Sequence, residues 1–538
     1  MILLLPIGFL LLAALLISIL NRFNPKFGIG WLIASAASII TWLTYFFMRL
    51  RLPTMLNVLS WEGSSLNLIG QFSLLMDYDT WPYAFSLITI TLAVILTDAA
   101  RTRYDSTPLS WAASLAITSL GLLALQSGTS LTLMVTWVMV DLIELLYLLR
   151  LEDVKRFHMP IVFSYGVRTA SILMLFLASI QTWQINESFR LTEIPVKTGI
   201  LFLLSAGLRL GVLPLNLPFL QEPNLRRGAG NIIRLAPVIS SLSLLARLPV
   251  NLMTGNLQGW IPLLQSLIAI AALYAATRWF SASDEIEGRP FWIIAWSSLA
   301  AACVLNGAPA ASIAWGIALI LPGSLLFLYS PRIQRMNFLL YFGLIGLIGL
   351  PFTPLASGWS GLAANGITGW TILFTLAHAI MVLGYLKRIL QPSGEVGALE
   401  SWARLVYPLG LIINIQAIVA IGLIGWPGSL TLGTWWLGLI SNILIISAII
   451  LVWRLGISPP YVNLPASSGF KKVLDWLLPR LEPIFRLEWL YKILWWIKDF
   501  LSIILKALSS ILESEGGILW TVLLMVLLIS ILAGVGAN

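Results

Sequence analysis

Apolar blocks, each close to twenty residues long, recur along the whole chain and constrain its fold more than any other feature. They run at roughly 1–20, 29–48, 82–100, 109–127, 130–150, 160–181, 196–214, 231–252, 258–279, 291–306, 309–329, 337–356, 368–391, 405–426, 431–453 and 517–535. Crossing the hydrocarbon core of a bilayer takes about 20 helical residues. Inside lipid every backbone polar group must be satisfied by the chain itself, which leaves helices or a closed barrel. Barrel strands would alternate apolar and polar residues in segments of about ten, and no such pattern occurs. Composition agrees: 59% of the 538 residues are hydrophobic and 10% charged, against about 25% charged in a soluble domain. The expected fold is an all-α polytopic membrane protein with about 16 transmembrane helices.

The same composition narrows the chemistry. There is one cysteine, Cys303, and there are two histidines, His158 and His378. His158 falls in the predicted connection between the fifth and sixth blocks, so no facing pair of membrane histidines is available for a haem. No phosphate-binding glycine loop, dinucleotide fingerprint or HExxH zinc motif is found. The chain is expected to hold no catalytic site, metal or cofactor of its own. The net charge of +9 does not indicate nucleic acid, because much of it lies beside block ends. Arg22, Lys26, Arg101, Arg103, Arg150, Lys155 and Arg156 follow odd-numbered blocks, and only Arg49 and Arg51 follow the second. Positive charge favours the cytoplasmic side, which places the amino terminus outside the cytoplasm of a bacterial or archaeal cytoplasmic membrane. The first block has no charged leader and is expected to stay as a helix.

Residues 468–516 differ in kind. Charges from Lys471 to Glu515 are spread among Leu, Ile and Trp, as in an amphipathic helix lying at an interface or along partner helices. Pro479 and Pro483 are expected to interrupt its first third.

An ionisable residue at mid-bilayer costs about 2.5–3.5 kcal/mol on insertion scales, so it faces the bundle interior and has a partner. In the fifth block Asp141 and Glu144 stand three apart, on one helix face. In the sixth, Arg168 reaches a similar depth, so a pair with Asp141 or with Glu144 is expected. That pair reads either as a fixed tie between helices or as an acid whose proton affinity a movable partner controls. Arg209 lies in the run "GLRLGVLPLNLPFLQEPNLRRG", which Pro214, Pro218 and Pro223 interrupt. Broken helices are tolerated only within protein or beside a wet cavity, so a charge beside a break marks an ion pathway. The alternative is a charge reaching the interface from the end of a short helix. His378 lies mid-block and reads as a satisfied interior histidine or as a titrating carrier. The blocks 291–306 and 309–329 hold no ionisable residue except Cys303.

These residues resemble a family: the antiporter-like membrane subunits L, M and N of respiratory complex I (NADH-quinone oxidoreductase), with related cation/proton antiporter and membrane-bound hydrogenase subunits. The family pattern K-x-x-x-x-P-x-H is similar to "RLGVLPLN", which puts Arg209 at the lysine, Pro214 at the proline and Asn216 at the histidine. "APVISSLSLLARLP" resembles the family's A-P-x-x-x-S segment. "WVMVDLIELLYLL" resembles the fifth helix, whose acid falls on Asp141 or Glu144. "GLPFTPLASGW", with Pro351 and Pro354, resembles the broken twelfth helix. The long segment before the last block resembles the lateral helix of the L type.

The resemblance implies two inverted five-helix repeats with broken helices. The corresponding divisions are 1–105 (helices 1–3), 106–255 (first repeat), 256–392 (second repeat), 393–467 (helices 14 and 15), 468–516 (lateral helix) and 517–538 (anchor). It implies a membrane-arm subunit that handles protons or Na+ and works with other membrane subunits, which alone would carry quinone, flavin or iron–sulfur clusters. The departures imply a degenerate channel. Arginine replaces the lysine, Ala318 and Leu319 stand where the eleventh helix usually carries histidine or lysine, and Trp359 stands at the twelfth-helix carrier. A structural role, a stand-alone transporter using Ser297, Ser298, Asn306 and Ser324, and a membrane partner of a soluble uptake enzyme are the alternatives.

Overall fold

The computed structural model describes residues 2–23, 29–59, 72–98, 107–150, 158–186, 188–216, 228–252, 255–329, 336–390 and 401–454, with single positions between 496 and 526. Residues 1–462 form one compact unit and 463–538 a second. The expected lateral helix and anchor, and with them the L-type layout, lie in the second unit, outside the described residues.

Within the first unit the helices are α1 (Leu4–Phe23), α2 (Gly30–Met48), α3 (Trp81–Asp98), α4 (Pro108–Leu125), α5 (Ser130–Arg150), α6 (His158–Asn186), α7 (Val196–Leu210) and α8 (Ala229–Ala246). They continue as α9 (Ile261–Ser281), α10 (Glu285–Leu305), α11 (Ser312–Leu328), α12 (Asn337–Phe342), α13 (Pro354–Leu362), α14 (Gly369–Ile389), α15 (Ser401–Ile424) and α16 (Trp435–Arg454). The described residues thus hold sixteen helices, of which eleven are long and apolar enough to cross a membrane. The first fifteen sequence blocks all contain helix. The count reaches sixteen because the block at 337–356 yields two, while the block at 517–535 lies outside the described residues.

Two boundaries correct the sequence reading. His158 opens α6 instead of lying in a loop. The tenth helix starts six residues before its apolar block, at Glu285, where Asp284 caps it by accepting from the backbone N–H of Glu287 at 2.7 Å. That start draws Glu285 and Arg289 into the helix, and both are buried. Beside the helices of the all-α membrane fold, the described residues hold one antiparallel strand pair, β1 (Thr54–Leu59) and β2 (Phe72–Met76), with Met55 opposite Leu75. Strands of this length cannot cross a bilayer. β2 instead lies against the end of α4, where Leu75 N–H donates to the Gln126 carbonyl at 2.6 Å.

Helices α3, α8 and α10 are buried along their whole apolar length, and α11 nearly so, whereas α1 and α2 expose most of theirs. A helix that is apolar all round belongs in the interior. Hydroxyls on these central helices bond within the bundle: Thr91 meets Thr118 of α4 at 2.7 Å, and Thr97 returns to the Ala93 carbonyl at 2.7 Å.

At the first expected break the described residues show the end of a helix, and at the second an interruption between two helices. The first occurs before the prolines are reached: Gly211 takes the left-handed conformation at φ 78°, and Val212 N–H closes back on the Gly207 carbonyl at 2.8 Å. Glycine takes that conformation without a Cβ penalty and ends a helix there. Pro214 lies in the turn that follows, and Pro218 lies outside the described residues. The second break lies between α12 and α13. A 3-10 segment over Gly343–Gly346 gives way to irregular chain, and Pro354 opens α13 at its first position, where its missing N–H costs nothing.

Candidate functional site

Four neighbouring helices of the first half bring five charged side chains together. Trp137, Asp141 and Glu144 lie on one face of α5 at spacings of four and three. Arg168 comes from α6, Arg209 from the last turn of α7, and Arg234 from the second turn of α8. All are at most 3% exposed.

The connections are specific. Arg209 grips Asp141 with both ends of its fork: Nη1 donates to Oδ2 at 2.7 Å and Nη2 to Oδ1 at 2.5 Å. Arg168 lies between the two acids. Its Nη1 donates to Asp141 Oδ1 at 3.3 Å and to Glu144 Oε2, and its Nη2 to Glu144 Oε1 at 3.1 Å. Arg234 closes the other side, with Nη1 donating to Glu144 Oε1 at 3.0 Å. The guanidinium of Arg209 also sits 4.6 Å from the Trp137 ring centroid, and Trp137 donates its indole N–H to Ser240 Oγ at 3.0 Å. Paired forks of this kind are the strong form of charged hydrogen bond and fix geometry as well as energy.

The alternatives left open by the sequence therefore merge. Arg168 pairs with both Asp141 and Glu144. Arg209 does not reach for the interface but is fully buried on Asp141. Arg234 was missed. The signal was present, a lone arginine in the first turns of an apolar block ("NIIRLAP"), and the criterion that selected Arg168 selects it too. On the same α8 face, Asn231 accepts from Arg289 of α10 at 3.4 Å, which extends polar contact toward the second half.

Asn216 and His378 stand apart from this cluster. Asn216 spends its amide on the turn after α7, donating to the Pro214 carbonyl at 2.9 Å. His378 of α14 lies in the second half, where Nδ1 meets Ser441 Oγ of α16 at 2.7 Å and Nε2 meets the Leu347 carbonyl at 3.0 Å. That carbonyl belongs to the broken stretch between α12 and α13. Three indoles surround the imidazole, with ring centroids of Trp359, Trp296 and Trp315 at 5.0, 5.5 and 5.8 Å. Pro351 and Pro354 bound the same break.

Indoles stand at or beside the positions where the resemblance lacks carriers. Trp292 donates to the Leu319 carbonyl at 2.9 Å, and Trp359 is fully buried beside His378. Two of the four polar side chains available to a solute cavity serve the fold instead. Ser298 returns to the Ile294 carbonyl, and Asn306 donates to the Leu362 carbonyl at 2.9 Å. Arg388, in the last turn of α14, was also missed. It is buried on the carbonyls that end α9, including Trp279 O at 3.2 Å and Ser283 O at 2.8 Å, and it satisfies the acceptors a helix end leaves open. No group of His, Cys, Asp or Glu among the described residues could hold a metal.

No family model matches the chain, and no curated protein does. Solved structures do. A chain of the Mrp complex from Dietzia sp. DQ12-45-1b superposes with a TM-score of 0.70 at 15% identity, over 100% of this chain and 63% of that one. A chain of the membrane-bound sulfane sulfur reductase (MBS), an archaeal respiratory membrane complex, gives 0.66 at 14%, over 98% and 100%. A chain of respiratory complex I from Thermus thermophilus with bound NADH gives 0.61 at 18%, over 83% and 100%. The chain has the fold of these membrane-complex subunits. At the level of fold, the resemblance drawn from its motifs holds, and the three matches do not single out the L type. The chain spans less than two thirds of the Mrp chain it matches.

Proposed function

We propose that this chain is an antiporter-like subunit in the membrane arm of a multisubunit, complex-I-like or Mrp-like assembly in a prokaryotic cytoplasmic membrane. Redox partners would carry any quinone, flavin or iron–sulfur chemistry. Within that assembly the first half serves as a fixed charge cluster, and the family's proton relay is degenerate. The observation that carries this reading is the two-pronged grip of Arg209 on Asp141, at the position where the resemblance expects a channel lysine. A lysine can lose and regain its proton. Arginine is effectively always protonated, so it shapes the field at Asp141 and passes no proton. Glu144 is held in the same way between Arg168 and Arg234. The inverted-repeat layout implied by the sequence is consistent with one broken helix in each half.

The test uses the assembled complex in sealed vesicles. Asp141→Asn and Glu144→Gln are introduced together, assembly is checked on native gels, and proton and Na+ uptake per electron are measured. An unchanged ratio supports the fixed cluster. A drop of a whole ion per turnover, with electron transfer intact, rejects it in favour of translocation through this half. Purification of a tagged chain in mild detergent should bring other membrane subunits with it. A monomer that transports alone would refute the assignment.

A further inference from the structure

The second half is closed by a set of side chains to which the charge cluster contributes nothing. We propose that Trp296, Trp315, Trp359 and His378 form an aromatic seal that keeps water out of the second half, and that His378 is the positioning residue that holds the seal in register across its broken helix. The proposal rests on the reading of this half as lacking a proton carrier, but it concerns packing and can fail separately.

The four rings come from α10, α11, α13 and α14 and meet edge to face, except for Trp296 and Trp315, which are tilted at 35°. Trp315 and Trp359 lie 5.1 Å apart at 79°, and Trp359 and His378 5.0 Å apart at 72°. Trp296 and Trp315 are 5.8 Å apart. Separations of this size are those of aromatic pairs in direct contact. All four residues are fully buried. Backbone closes the remaining gaps. A Cβ added at Gly358 would fall 2.9 Å from Trp315 Nε1, and one added at Gly349 would strike Trp359. A water needs room for about one probe sphere and two to four polar partners. Ring-on-backbone contact of this kind fills the room, while the buried indole N–H groups of Trp296 and Trp359 are left without a hydrogen-bond partner among the described residues.

His378 ties the seal to the break. The Leu347 oxygen can only accept, so Nε2 carries a proton and donates to it. Nδ1 shares a hydrogen with the Ser441 hydroxyl. One imidazole thus links α14, α16 and the residue that follows the 3-10 segment between α12 and α13. It satisfies a carbonyl that the break leaves without a helical donor. The second break is therefore pinned on both sides of its ring, and the indole of Trp359, five residues into α13, is carried against it.

The chain supplies its own reporter. Cys303, its only cysteine, accepts from Trp315 Nε1 at 3.2 Å and lies 3.5 Å from the Gly358 carbonyl. It is part of the wall of the seal. In the intact complex in membranes, N-ethylmaleimide is applied and modification of the Cys303 peptide is followed by mass spectrometry. The thiol is expected to stay unmodified while exposed cysteines of the same sample react fully. Trp359→Ala opens a large-to-small gap in a packed interior, and its labelling rate is expected to rise on the order of ten-fold or more. Trp359→Phe should rise less. Ser441→Ala, which removes one of the two bonds to His378, should also raise the rate without touching an indole. A Cys303 in the native complex that labels as fast as an exposed thiol overturns the seal. So does an assembled Trp359→Ala variant whose thiol stays inert. A Ser441→Ala variant that labels no faster than the native protein overturns the positioning role of His378. Where Trp359→Ala fails to assemble, Trp359→Phe and the native measurement decide. The ion ratio per electron reads the proposed function, and Cys303 labelling reads the seal, so the two failures are distinguishable.

Discussion

Replacing Arg209 by methionine tests the charge cluster where its geometry makes the sharpest claim. Asp141 receives three charged hydrogen bonds, two from Arg209 at 2.7 and 2.5 Å and one from Arg168 at 3.3 Å. The substitution leaves only the longest, from an arginine already engaged with Glu144. Breaking a buried pair from one side costs about 3–5 kcal/mol. The residual bond to Arg168 lowers that figure, and the lost contact with Trp137, worth up to about 2 kcal/mol when desolvated, raises it again. The expected loss is therefore about 4 kcal/mol, close to three decades in the folded ratio. Arg168→Met should cost less, about 1.5–3 kcal/mol, the scale of hydrogen bonds to charged groups, because each acid keeps another arginine. The double change Arg209→Met with Asp141→Leu removes both partners. Apolar replacement of a whole buried pair is often near neutral, so most of the loss should return. Equilibrium unfolding of the purified chain in mixed micelles, run as a double-mutant cycle, measures each value. An Arg209→Met loss below about 1 kcal/mol, or two changes that simply add, would refute the assignment of the pair as the tie that holds α5 to α7.

Two further outcomes are expected. At the turn between β2 and α3, burial first and the neighbouring charge of Asp77 second push the Asp79 carboxyl up from 3.8 to about 6, against the pull of Arg247. An acid whose folded pKa is raised costs stability once ionised. That penalty is complete above about pH 6 and is relieved as the pH falls toward 3.8. Asp79→Asn should thus melt higher than the native chain at pH 7.5 and converge with it near pH 4; a gap that does not change with pH would argue against this origin. The second outcome concerns Gly438 of α16, where an added Cβ would run into the backbone of Gly349. Gly438→Ala should destabilise by about 1–3 kcal/mol through overpacking, whereas Gly166→Ala on α6, with nothing within 4 Å, should not. Equal effects in thermal melts would mean that α16 does not brace the second break.

What the sequence made legible follows from which physical signals are local. Lipid demands long apolar runs, so fifteen helices could be placed from hydrophobicity alone. Asp141, Glu144, Arg168 and Arg209 stood out because a charge is conspicuous in hydrocarbon. Their pairing into one cluster did not, because it depends on how α5, α6, α7 and α8 rotate about their axes, and no nearest-neighbour spacing encodes that. Glu285 and Arg289 were lost for a different reason. They lie in the first turns of their helices, where an apolar-run criterion places the boundary too late. The hairpin at Thr54–Met76 gave too short an alternation to register beside spans of twenty residues. His378 was legible as a satisfied interior residue, but its partners, Leu347 and Ser441, lie 31 and 63 residues away.

The two breaks also show why a proline motif alone does not define a channel. Breaking a transmembrane helix releases carbonyls and N–H groups that lipid cannot satisfy, so whatever lies beside the break must supply partners. Beside the first break the neighbours are Arg209, Asp141 and the Asn216 amide, all of them charged or polar. Beside the second they are the His378 imidazole, the Tyr385 hydroxyl, which donates to the Leu340 carbonyl at 3.0 Å, and the indole faces that pack around them. Among the described residues, only the first has carboxyl groups within reach of the break. If an ion approaches the middle of this chain, Asp141 and Glu144 are where it would be felt, and there it meets three arginines before it meets an unshared oxygen. On the proposed reading, this arrangement holds a field steady. On that reading it is a poor fit to a site that must release and recapture a proton at each turnover, because none of the three cations can be neutralised to let the carboxylates change partner.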